Sequence, residues 1–207
     1  MDKKIAICFY GQTRTAEVLE RTYSNMPNID FFVSTWDDFD NKQVFNFCKM
    51  KEFLNPNIIN FTNNTQRASY LIYRVNHLKT RYEIINNFTY DQVMWTRSEI
   101  FYKKDILEET FLNIIDNKKI NIFSKIEKDN KNNFYLTGDY TFFASSHIFD
   151  IYSTGFKNKD ILNKAKLGHG GHNYHAYNII DNNIPTNIIS IPHTFQFNKR
   201  TKRNIDE

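Results

Sequence analysis

Two short, unbroken apolar runs constrain this chain more than any other feature. Lys4–Tyr10 carries IAICFY, and Asp30–Trp36 reads DFFVSTW. Neither alternates polar with apolar residues, as a strand with one wet face would. Such runs belong to strands buried on both faces, which in practice means a mostly parallel sheet with helices on either side. Gly11 stops the first run, and Thr13 or Thr15 can then cap a helix that turns Ala16, Leu19 and Tyr23 inward.

The rest of the chain alternates in the same way. Ile58–Thr62 predicts a third strand, and Tyr90–Thr96, Ile120–Ser124, Tyr140–Ala144 and Ile188–Ile191 predict the later ones. Between them, Gln66–Asn87 is the strongest helix. Ala68, Leu71, Ile72, Val75, Leu78, Tyr82 and Ile85 recur at three- and four-residue steps, and Thr65 or Asn64 can cap it. Weaker helical patterns cover Asp105–Asp116, begin at Ser146–Tyr152, and follow a glycine-rich turn within Gly168–Asn182. Glu127–Asn133 is polar and reads as a loop. This order predicts a single α/β domain over residues 1–196, a Rossmann-like sheet flanked by helices, followed by a basic polar tail over 197–207.

Bulk properties remove several classes. The 207 residues carry a net charge of +4, spread along the chain except for Lys199, Arg200, Lys202 and Arg203 in the tail. Nucleic-acid binders concentrate their charge more strongly, so no nucleic-acid partner is expected, and the tail allows at most a peripheral membrane contact. No apolar stretch approaches the ~18 residues that span a bilayer. Cys8 and Cys48 are too few for a disulfide framework, which fits a reducing, cytoplasmic setting. Nothing in the sequence states an oligomeric order.

In wound sheets, ligands sit beyond the carboxyl ends of the strands. Gly11-Gln12-Thr13-Arg14 occupies such a place. Glycine allows close backbone approach, helix-start N–H groups favour an anion, and Arg14 adds a fork suited to a diphosphate. A plain strand-to-helix turn with a surface arginine is the competing reading. Arg97-Ser98-Glu99 follows the fourth strand: Arg97 can neutralise a leaving diphosphate, and Glu99 can hold a divalent cation. A surface ion pair would give the same pattern. Asp139, before an aromatic strand, can serve as a base toward a hydroxyl or as an Asx-turn residue. His172 and His175, three apart in the glycine-rich turn, can share a helix face, and His172 can complete a metal shell with Glu99. Trp36 and Trp95, at strand ends, offer stacking faces for a base or sugar.

The order of these segments resembles a family of small viral and bacterial glycosyltransferase-like proteins of capsular, lipopolysaccharide or viral-glycan synthesis. The resemblance rests on Gly11-Gln12-x-Arg14, FFVSTWDD from Phe31 to Asp38, the helix Gln66–Glu83, Tyr90-Asp91 through Arg97-x-Glu99, and Gly138-Asp139. It implies a GT-A-like fold and transfer of a sugar from a nucleoside diphosphate sugar to a hydroxyl on a glycan. Gly11, Gln12, Arg14, Trp36 and Arg97 would then bind the donor, with Arg97 and Asp139 catalytic. Where that family's fold type carries a D-x-D motif for Mn²⁺ or Mg²⁺, this chain has Arg97-x-Glu99, in which Arg97 cannot ligate a cation and Glu99 is left to hold it. A non-catalytic nucleotide- or glycan-binding module of the same fold is the alternative.

Overall fold

A computed structural model describes residues 3–11, 19–20, 23–24, 26, 28–37, 45–57, 59–98, 100, 102, 107, 111, 115–129, 134–138, 141–166 and 170–189. The two apolar runs become β1 (Ile5–Gly11) and β2 (Ile29–Trp36), paired in parallel. The sheet continues with β3 (Met50–Leu54), β4 (Gln92–Arg97), β5 (Ile120–Ile122), β8 (Thr141–Ala144) and β9 (Thr186–Ile188). Its seven strands run in the order β3-β2-β1-β4-β8-β5-β9. β8 is antiparallel to both neighbours, and every other pairing is parallel. This is the mostly parallel Rossmann-like sheet the sequence predicts.

Each strand face has its own core, as two-sided burial requires. Ile7, Phe9, Phe31, Val33 and Met94 pack on one side with Leu19, Tyr23, Leu107 and Phe111. Ala6, Cys8, Tyr10, Phe32, Trp36, Val93 and Trp95 pack on the other. That second side is covered by α1 (Asn64–Asn86) and α2 (Ser146–Ser153). A 3₁₀ turn (Thr154–Lys157), α3 (Lys159–Lys166) and α4 (Gly171–Asp181) complete the layer.

Several expectations are corrected. The third strand is Met50–Leu54, a sheet edge containing Lys51 and Glu52, and residues 59–62 form no strand. Glu127–Asp129 is not loop: it forms β6, paired with β7 (Phe134–Leu136) in a separate two-stranded sheet. β6 reads Glu127-Lys128-Asp129, so it lacks the apolar signature of a buried strand. The cap of α1 is Asn63, whose side chain accepts from the Gln66 N–H, rather than Asn64 or Thr65. Ile85, expected inward, is exposed, while Lys79 and Glu83 lie inward instead.

Those two charges form the main polar contact between α1 and α2. Lys79 is fully buried and donates to Glu83 Oε2 at 3.0 Å, to Asp150 Oδ1 at 3.1 Å and to the Ser146 hydroxyl. Glu83 Oε1 accepts from Ser146 Oγ at 2.7 Å and from the Tyr90 N–H at 2.8 Å. A buried charge is tolerated only when paired and hydrogen-bonded this fully.

Candidate functional site

β1, β2 and β4 are parallel, so their carboxyl ends meet at one edge. The register aligns Gly11 with Thr35, and Tyr10 with both Ser34 and Arg97. The chain leaves β1 toward β2 on one side and returns as β4 on the other, which makes this edge a topological switch point. Gly11 there has φ +106°, a conformation glycine adopts freely and other residues do not. Thr35 Oγ1 donates to the Gly11 carbonyl at 2.7 Å, and the Ser98 N–H donates to the Tyr10 carbonyl at 3.0 Å. The ends of three strands are thereby fixed to one another.

Strand alternation decides which way the side chains at this edge point. Val93 and Trp95 face the α1 layer, so Arg97, two residues on, belongs to the same face and is half-buried. Trp36 also faces that layer. It is only 5% exposed: Phe61 meets it edge-on at 5.4 Å, Tyr70 stacks at 6.2 Å, and the Arg67 guanidinium lies over its ring at 5.4 Å. Trp95 is wholly buried, stacked between Phe142 and Phe149. It is a core residue and offers no face to a ligand, contrary to the expectation from its position near a strand end.

Beneath the edge lies a buried hydroxyl layer. Thr96 and Thr141 are hydrogen-bonded at 2.7 Å across β4 and β8, and the Tyr102 hydroxyl donates to Thr141 Oγ1. The Tyr102 N–H in turn donates to the Tyr23 hydroxyl at 3.0 Å. Burial pushes the Tyr23 and Tyr102 hydroxyls well above the ordinary tyrosine range, so both stay protonated. These contacts tie the end of β4 to β8 and, through Tyr102, to Tyr23.

The glycine-rich turn reaches α1. Gly170 has φ +60°, and a Cβ there would stand 2.9 Å from Thr65 Oγ1, so the close approach of the α4 and α1 amino ends needs glycine. The two histidines, three apart on α4, take different partners. His172 Nδ1–H donates to the Thr137 carbonyl at 2.9 Å. His175 is buried, hydrogen-bonded through Nδ1 to the Tyr152 hydroxyl and packed on Phe142. Among the described residues no three His, Cys, Asp or Glu side chains converge to hold a metal ion. Gln12, Arg14, Glu99 and Asp139, like His193 and the tail at 197–207, lie outside the described residues. Of the residues read from the sequence, the structure therefore brings Gly11, Trp36 and Arg97 to one edge and ties His172 to the β7–β8 connection.

No known protein family and no curated protein sequence matches the chain. Solved structures do match. One is a glycosyltransferase involved in the glycosylation of the major capsid of PBCV-1, at a TM-score of 0.51 and 13% identity, over 90% of this chain and 82% of that one. The fold is of the glycosyltransferase type. At this identity the likeness concerns the fold alone. Within this fold the switch-point edge of β1, β2 and β4 is the place to look for a ligand. No helix among the described residues is long and apolar enough to cross a membrane.

One residue of this edge, Arg67, escaped sequence reasoning; Thr35, at the carboxyl end of the second apolar run, lies where that reading looks for a ligand. For Arg67 a signal existed: α1 carries an arginine, and no acidic residue, in its first turn.

Proposed function

We propose that this protein is a glycosyltransferase that moves a sugar from a nucleoside diphosphate sugar to a hydroxyl on a glycan or glycoconjugate. The observation that carries this reading is the positive-φ Gly11, hydrogen-bonded to Thr35 and aligned one residue from Arg97, at the switch point of a glycosyltransferase-type sheet. A backbone without a Cβ at that point lets a phosphate-bearing ligand approach β1 closely. In this reading the donor lies along the edge, with Gly11, Gln12 and Arg14 on its nucleotide. Arg97 stabilises the charge that develops on the diphosphate as the glycosidic bond breaks. Asp139 accepts the proton of the attacking hydroxyl. Most of the rate then comes from holding donor and acceptor together and from charge already in place. Glu99 and His172 remain the candidates for a Mn²⁺ or Mg²⁺ site. In this reading Arg97 meets the charge on the diphosphate whether or not a metal ion is bound beside it.

The test is calorimetric titration with UDP, GDP and dTDP, followed by donor turnover with the matching sugar nucleotides, with and without Mn²⁺. Saturable binding of one nucleotide and turnover of its sugar are expected. Failure to bind any of the three would remove the reading. Binding without turnover on any acceptor would favour the non-catalytic module, which the replacement of D-x-D by Arg97-x-Glu99 motivates.

A further inference from the structure

We infer that Arg67 is a second cation of the donor site, binding the diphosphate from α1, on the same face of the sheet as Arg97. This rests on the proposed nucleotide-sugar reading and adds to it a residue that no sequence motif marked.

Two arginines of α1 lie over aromatic rings, and the contrast between them carries the argument. Arg74 lies 6.0 Å over Tyr70, and its charge is met: Nε and Nη2 donate to the two Glu52 carboxylate oxygens at 3.1 and 2.7 Å. Glu52 also accepts from Ser34 at 2.7 Å. That pair is complete, and it is a structural link between α1, β2 and β3. Arg67 is half-buried, and its guanidinium rests over Trp36 with no carboxylate and no hydrogen-bond acceptor among the described residues. A guanidinium lying over a ring uses its face for the ring and leaves its N–H groups directed outward around the rim. Such a fork suits two oxygens of a phosphate.

Its position makes that fork useful. Trp36 ends β2, next to the Thr35 that bonds Gly11. By alternation Trp36 and Arg97 share one face of the sheet, so Arg67 and Arg97 stand on the same side of the same carboxyl edge. Trp36 holds the Arg67 head in place, which limits the entropy lost when an anion binds. Nothing acidic in the first turn of α1 competes for it.

The experiment compares wild type, Arg67→Ala, Arg67→Lys and Arg74→Ala by calorimetric titration with UDP, GDP, dTDP and inorganic pyrophosphate. For whichever nucleotide the wild type binds, Arg67→Ala is expected to weaken affinity about 10- to 100-fold, the range for losing a charge-assisted pair. Pyrophosphate affinity should fall in parallel. Arg67→Lys, which keeps the charge but not the fork, should fall between, and it guards against a folding artefact in the alanine variant. Arg74→Ala should lower the melting temperature and leave nucleotide affinity within about twofold. Nucleotide affinity unchanged in folded Arg67→Ala overturns the inference and leaves the transferase reading standing. A wild type that binds none of the nucleotides overturns both.

Discussion

The hydroxyl of Thr35 donates to the carbonyl of Gly11 at 2.7 Å, where β1 has turned to φ +106°. One hydrogen bond thus links the ends of two neighbouring strands at the point where β1 must stop behaving as a strand. An alanine at position 11 would place its Cβ 3.9 Å from Ser98 Oγ, an ordinary contact. The cost of Gly11→Ala is therefore conformational rather than steric, about 1–3 kcal/mol. Urea denaturation should show that loss, and nucleotide titration should show weaker binding, because relaxing φ moves the carbonyl that Thr35 holds. An affinity equal to wild type in the folded variant would dissociate the Gly11 turn from the ligand.

Arg97→Ala should lower turnover of a sugar nucleotide by about 10²–10³-fold, the scale for removing one preorganised group that meets developing charge. Since Arg97 is half-buried at a strand end, the thermal midpoint should move by only a few degrees, about 1 kcal/mol or less. Steady-state kinetics beside a thermal melt separates the two effects. A melt that collapses while residual turnover per folded molecule stays normal would make Arg97 structural.

Lys79→Met leaves Glu83 and Asp150 facing each other without their shared cation. Breaking one member of a buried charge network costs about 3–5 kcal/mol. The loss should appear in the urea midpoint at neutral pH. Lys79 stands twelve residues along α1 from Arg67, about 18 Å at the rise of a helix, so nucleotide affinity of the folded variant should be unchanged. Equal stability of variant and wild type would mean that the network is not closed in solution.

Alkaline pH should destabilise the protein through its buried tyrosines. Burial, and for Tyr90 a hydrogen bond donated to Asp30 at 2.6 Å, push the hydroxyls of Tyr23, Tyr90, Tyr102 and Tyr174 far above the ordinary value. A group whose folded pKa is raised keeps its proton in the native state after the unfolded chain has lost it. Stability is therefore intact below about pH 10, the unfolded tyrosine value, and falls as pH rises beyond it. Each such tyrosine contributes roughly 1.4 kcal/mol per pH unit to that slope. Tyr90→Phe should be less stable at pH 8 and lose stability more slowly between pH 10 and 11. An unchanged alkaline slope would show that Tyr90 ionises freely in the native state.

Much of the fold was legible because burial on two faces leaves a plain mark. Ile5–Tyr10 and Phe31–Trp36 can lie only in a covered sheet, and the Leu71, Ile72, Val75 spacing can form only an inward helix face. The elements misread were those whose residues are not apolar. β3 runs along a sheet edge with Lys51 and Glu52 in it, and β6 is Glu127-Lys128-Asp129, with no apolar residue. Lys79 and Glu83 carry no apolar signal that would turn them inward. They go inward because Ser146, Asp150 and the Tyr90 N–H meet them there, and those partners come from segments that sequence spacing does not connect to α1.

The candidate site divides along the same line. Sequence alone marked Gly11 and Arg97, because a strand stop and a charge after an apolar strand are local signals. It also set the layering, since the period of the apolar residues fixes which elements are strands and which are helices. Tertiary structure decided that Gly11, Thr35 and Arg97 share an edge, that Trp95 belongs to the core, that His172 bonds Thr137 while His175 bonds Tyr152, and that Arg67 rests over Trp36 while Arg74 is neutralised by Glu52. The physical reason is that a charge or an aromatic ring takes its role from its partners, and here those partners come from strands and helices far apart in the chain.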